Sequence, residues 1–174
     1  MKRLFLAAAL LAALWPATAA AQDTSSGVLT VTANLASSIS LSFESDASGV
    51  ALAGSGTNAA TMAFGTVSAF GTITTPGVTR TVGATDFTVS SPFGVKVVSF
   101  NSTSASYNLA ASLGSADATN TWQVGSTTLS TTPATVATAQ GYGGAQTHTL
   151  AITIPQSAAA GAISRTVNFT ATAN

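Results

Sequence analysis

His148 is the only imidazole in a chain of 174 residues that holds no cysteine. A Ser–His–Asp relay would need it beside Asp86 or Asp117 and one of many serines. No Gly-x-Ser-x-Gly elbow accompanies it. On strand parity His148 shares a face with Leu150 and Ile152, which predicts a strand-end residue with a satisfied hydrogen bond. One histidine and no thiol exclude multi-histidine and thiolate metal centres. Glu44 and Asp46 are two residues apart and could point the same way from a strand end. Such pairs hydrolyse glycosides or bind calcium. Calcium asks for about six oxygen ligands or more, and no Asp-rich loop supplies them, so a solvated loop pair is expected. The glycines at 54–56 and 141–144 lack the strand–loop–Lys plan that cradles phosphate and read as turns. The expectation is therefore no enzymatic activity, no metal and no cofactor.

Trp122, Tyr107 and Tyr142 could stack on sugar rings. Trp122 alternates with Val124, which predicts a core position, whereas Tyr142 lies among glycines and is the better exposed candidate. A monomeric secreted carbohydrate-binding or adhesive module is thus one reading. The triplets beginning at Asn101 and Asn168 match a glycosylation rule, but Asn168 falls inside a predicted strand and the leader is of bacterial type.

That leader is residues 1–21. Lys2 and Arg3 open it, an apolar run follows from Leu4 to Trp15, Pro16 breaks the run, and Ala19-Ala20-Ala21 gives a small-x-small cleavage pattern before Gln22. The apolar run is too short for a spanning helix, which needs about 20 residues. The plan predicts a secretory signal peptide and a product secreted to the periplasm or cell surface of a bacterium. Beyond it stand three bases (Arg80, Lys96, Arg165) against five acids (Asp23, Glu44, Asp46, Asp86, Asp117), a net charge of −2. That excludes a basic nucleic-acid footprint and a polybasic membrane patch.

The 28 Thr and 22 Ser after residue 21 make up about a third of what remains. Together with 46% apolar residues over the whole chain, they fit half-buried strands rather than a disordered stalk. Leu29, Val31, Ala33 and Leu35 occupy one parity, with Thr30, Thr32 and Asn34 on the other. Ile39, Leu41 and Phe43 continue the odd parity. Period two is the strand signal, and a break at Ala36-Ser37-Ser38 divides this run into two strands. Further strands are predicted around Met62 and Phe64, at 78–82, at Phe87 and Val89 closing on Ser91-Pro92, and at Phe93, Val95 and Val97. Others follow at 107–113, at Trp122 and Val124 before a Gly125-Ser126 turn towards Leu129, at 150–154, and at 163–173. The segments 44–61 and 114–121 read as flexible loops. No helix longer than one turn is predicted. Many short strands with turns between them predict an all-β fold, an immunoglobulin-like sandwich of two antiparallel sheets.

The two ends carry a resemblance. The first stretch after the leader reads GVLTVTANLASSISLSF, and the last reads HTLAITIPQSAAAGAISRTVNFTATAN. Together they resemble pilus subunits of the chaperone–usher class, especially the spore-coat-protein-U-like group. There an alternating amino-terminal segment precedes the first domain strand, and a glycine commonly stands fourteenth from the end, as Gly161 does. The family's penultimate aromatic is replaced by Ala173, and its early cysteine by the Ser37-Ser38 region. The resemblance implies a donor segment at 22–35 and a sandwich at 36–174. Leu29, Val31, Ala33 and Leu35 would enter a neighbour's groove, and Gly161, Val167, Phe169 and Ala171 would mark the terminal strand. It further implies copies of itself as partners, with a periplasmic chaperone and an outer-membrane usher. The residues alone equally allow 28–35 to be the first strand of a complete sandwich.

Overall fold

Alternation of apolar and hydroxyl residues builds strands and little else. The computed structural model describes residues 25–174 and contains no helix among them. The predicted leader and residues 22–24 lie outside the described residues. Nine strands follow in order: β1 Ser38–Glu44, β2 Thr79–Val82, β3 Asp86–Phe100, β4 Ser106–Leu113, β5 Thr121–Val124, β6 Thr127–Thr128, β7 Ala134–Gly141, β8 Ala145–Pro155 and β9 Val167–Ala173. They form two antiparallel sheets packed as a sandwich. The larger runs β1-β3-β8-β5-β6 with β2 also on β3, and the smaller runs β7-β4-β9.

The core lies between the inner faces. Val89, Val95 and Val97 from β3 and Tyr107 and Leu109 from β4 are fully buried, and Trp122, Val124, Ile152 and Ile154 join them. Trp122 is thus a core residue, as its alternation with Val124 predicts.

β3 is one strand of 15 residues, not two parted at Ser91-Pro92. A proline is tolerated in a strand only where no ladder bond is needed from it. β2 pairs with β3 up to Ser90 and β1 only from Gly94, so Pro92 falls in the gap between them. Its carbonyl there meets Gly49, where any side chain would collide. Ser91, itself fully buried, accepts the Val50 N–H at 2.8 Å and fixes this loop against the gap.

Other boundaries also move. Met62 and Phe64 lie in no strand; an isolated bridge joins Ala53 and Thr61 at the start of this segment, and Met62, Phe64 and Val67 pack against the core from it. β9 starts at Val167 rather than 163 because its partner β4 ends opposite it at Leu113. β7 is a strand that the alternation does not announce. It carries register shifts against β4 and a left-handed Ala139 (φ 52°), so its parity breaks midway.

The chain divides at residue 34 into an amino-terminal unit and the sandwich unit, Leu35–Asn174. The predicted strand at 28–35 is not formed: residues 25–37 carry no strand. A strand exists only with a ladder partner, and this segment has none among the described residues.

Candidate functional site

Among the described residues β9 is the outer strand of the smaller sheet, bonded on one side only, to β4. Beside it opens a groove of about 1890 Å³. Its floor is the inner face of the larger sheet: Ile39, Leu41 and Phe43 from β1, Phe87, Val89 and Phe93 from β3, and Leu150, Ile152 and Ile154 from β8. One wall is β9 with the segment before it, through Ile163, Val167 and Phe169. The other is the non-strand segment after residue 58, through Met62, Phe64, Val67 and Phe70. Most of the lining residues are aliphatic or aromatic, with Asn58, Asp117, Asn120, Gln156 and Arg165 among the polar ones.

Three rings hold β9 over this floor. Phe169 meets Phe43 edge-on at 5.4 Å and Phe93 edge-on at 5.6 Å, and Phe43 and Phe93 stand 6.5 Å apart. Edge-to-face pairs of this kind contribute about 0.5–1.5 kcal/mol each beyond the area they bury. The alternation at 163–173 points to Phe169, but its two partners come from distant strands and no sequence signal joins them.

At one end of the groove Asp117, 2% exposed at its side chain, gathers the loop between β4 and β5. It accepts the backbone N–H of Thr119 and of Asn120 at 3.0 Å each, the Asn120 side-chain amide at 3.1 Å and the Trp122 indole N–H at 2.9 Å. The Arg165 guanidinium stands 3.5 Å away and ties the loop to the segment entering β9. Desolvation alone would raise this carboxyl, but the hydrogen bonds from Asn120, Trp122 and Thr119 outweigh it and hold the group well below the usual carboxylate range. Asp117 is therefore a structural anion, not a general acid.

The remaining chemistry-bearing residues are not brought together. His148 lies inside β8, not at a strand end, with its ring 6.0 Å from Phe93. Its buried Nε2 has no hydrogen-bond partner, contrary to the satisfied bond expected from sequence. Burial pushes its pKa down. The position opposite Phe93 in the β3–β8 register places the imidazole over an aromatic surface that offers nothing to bond. Asp46 accepts the Ser48 hydroxyl and backbone N–H and the Thr147 hydroxyl, and the first two lower its pKa most. It closes a turn. Tyr107 is fully buried, and Tyr142 packs on it at 5.5 Å with its hydroxyl bonded to Ser106 O. Tyr107 thus offers no face to a ligand, and Tyr142 is half-buried rather than fully exposed.

Gly161 lies before β9, exposed, with open space where a side chain would be. Val167, Phe169 and Ala171 lie on the inward parity of β9, half-buried. In the amino-terminal unit Leu29 and Val31 are 87% and 79% exposed, and Ala33 is exposed too; Leu35, which opens the sandwich unit, is 81% exposed. No family model, curated protein or solved structure matches the chain.

Proposed function

We propose that the protein is a structural subunit of a bacterial surface fibre, assembled head to tail by strand addition. Residues 22–35 of one copy fill the groove beside β9 of the next. The observation that carries this reading is an unpaired strand edge over an apolar groove in a chain whose own alternating segment leaves its apolar residues in water. Each half answers the other. The groove needs apolar side chains, and the edge needs N–H and C=O partners. An extended segment with apolar residues at every second position supplies both.

Because the donor and the groove are different surfaces, each addition leaves a new groove, and the assembly grows rather than closes. The reading includes removal of residues 1–21 on export, and a periplasmic chaperone and outer-membrane usher that handle the subunit before assembly.

Wild-type protein is expected to form filaments by light scattering and electron microscopy. Deletion of residues 22–35 is expected to stop growth and leave a chain that a peptide of residues 22–35 stabilises. A wild type that stays monomeric at high concentration, with a truncated chain indifferent to the peptide, would defeat the reading. A monomeric secreted binding module would then be the better account.

A further inference from the structure

One wall of the groove is held differently from the strands around it. From Thr66 to Thr74 the chain forms no strand, and no main-chain N–H of this stretch donates to another main-chain group among the described residues. We infer that residues 66–74 are a lid that lifts as a unit without unfolding the sandwich, that Arg80 is its latch, and that its lifting sets how fast the groove is filled. The effect on filling rests on the strand-addition reading; the lifting and the latch do not.

The loop is closed at its neck. Gly65 stands at φ 68°, so near Thr75 that any side chain there would collide with the threonine hydroxyl. The chain therefore leaves and returns at one place, and the residues between form a compact surface loop of the Ω type. Val67, Ala69 and Ile73 pack against the core from it. Packing without a ladder belongs to the low-stability end of a fold, where local opening precedes global unfolding. The floor is the opposite case, since β3 and β8 pair without a break from Asp86 to Lys96. Residues from Thr66 to Phe70 line the groove, so a lifted loop takes that wall with it and leaves the floor open from that side.

The latch comes from the other sheet. Arg80 stands opposite the fully buried Val89 in the β2–β3 register and so has the inward parity of an edge strand. Its Nη1 donates to Ser68 O at 2.8 Å and its Nη2 to Gly71 O at 2.9 Å. The Ser68 hydroxyl donates to Phe70 O between them. Among the described residues no carboxylate pairs with this guanidinium; its charge is met by the two loop carbonyls. The fork of a guanidinium is rigid, so lifting the loop breaks both bonds together. Both are exposed to solvent, where water can replace them, and that makes the latch releasable. Arg80 itself lies outside the groove lining, so its removal alters the hold on the wall and leaves the floor and β9 as they are.

The chain has no cysteine, so one introduced thiol reports one place. Val67→Cys puts it on the packed side of the loop. Ala111→Cys puts it at a core position 1% exposed, which only global unfolding frees. Dilute full-length protein is treated with a thiol reagent under native conditions, and the thiol at 67 is expected to react first. Adding Arg80→Ala should speed that reaction about fivefold or more and leave the thiol at 111 within about twofold, because two charge-assisted bonds are lost from the loop alone. Arg80→Lys should fall between, since an ammonium lacks the fork. Filament growth of Arg80→Ala, followed by light scattering in the cysteine-free chain, should quicken by about the same factor as the labelling. Equal acceleration of both thiols would show that Arg80 stabilises the whole sandwich, and no acceleration of either would show that it holds nothing; each result overturns the latch. Faster labelling with unchanged filament growth would overturn the control of filling. Absence of filaments from every variant would remove strand addition and that control with it, while the labelling decides the lid and its latch.

Discussion

Val31→Asp separates a segment that works in water from one that works in a groove. Val31 is 79% exposed, so a carboxylate there stays hydrated in the free chain. Its effect on unfolding should fall within about 0.5 kcal/mol, as for ordinary surface substitutions. In a filled groove two costs appear. Burial of the valine is lost, about 1.5 kcal/mol. The aspartate must also give up its charge, since Arg165, the cation that lines the groove before β9, is already engaged by Asp117. Neutralising a group of pKa about 3.9 at pH 7 costs three pKa units, about 4 kcal/mol. Together these reach about 5.5 kcal/mol, a loss of about 10⁴ in the affinity of one subunit for the next. Thr32→Asp, on the outward parity, leaves its charge in water and should cost under about 1 kcal/mol. Sedimentation or light scattering across a concentration series reads both. Unchanged assembly of Val31→Asp, or equal losses for both variants, would refute the claim that the odd positions are buried between subunits.

Three further outcomes follow from the sandwich itself. Asp117→Asn keeps the shape but sets an amide against donors, and should destabilise by about 2–4 kcal/mol in denaturant unfolding at pH 7. Because the carboxyl is lowered in the folded state, that contribution is present above its unfolded pKa of about 3.9 and fades as pH falls, so the variant and wild type should converge in acid. The His148 pKa is lowered from 6.5, so wild type should be most stable above that value and lose stability as pH falls below it; His148→Phe should flatten this slope between about pH 5 and 7, and a slope unchanged by the substitution would place its source elsewhere. Ser91→Ala leaves the Val50 N–H, bonded at 2.8 Å in a buried setting, without a partner, and should cost about 1–3 kcal/mol in thermal or denaturant unfolding.

Much of the fold is legible because one face of each sheet is buried, and burial of one face imposes period two. Tyr107, Leu109, Ala111 and Leu113 announce β4, and Leu150, Ile152 and Ile154 announce the inner face of β8. Pairing is not legible, and the misses come from there. Pro92 reads as a stop until the gap between β1 and β2 is known. β7 breaks its own parity at Ala139. The span at 163–166 keeps the alternation but has no partner beyond the end of β4. His148 shares the parity of Leu150, and only the register shows that it stands opposite Phe93. The alternating segment at 28–35 and β9 are both visible in the sequence, but the groove is not, since its floor comes from β1, β3 and β8 and one wall from a segment without regular structure.

The sandwich manages its strand edges unequally, and the inequality bears on function. An open edge invites pairing, and proteins blunt it with shortness, bulges, charge, proline or cover. β6 has only two residues. β7 is bent by its register shifts and the left-handed Ala139. β1 is met on its outer side at Phe43, which donates its N–H to Thr57 O at 2.8 Å and accepts the Gly56 N–H at 2.7 Å. β9 has seven residues, VNFTATA, with no charge, no proline and an unshifted register against β4. It is also the edge that stands over the groove. An unprotected edge above an apolar floor is a liability in a protein that works alone, because any extended chain could add to it. It is an asset where one particular chain is meant to add. The proposed donor, the neighbour's 28–35 segment, would bring an apolar residue at every second position to the floor while its backbone pairs with this edge.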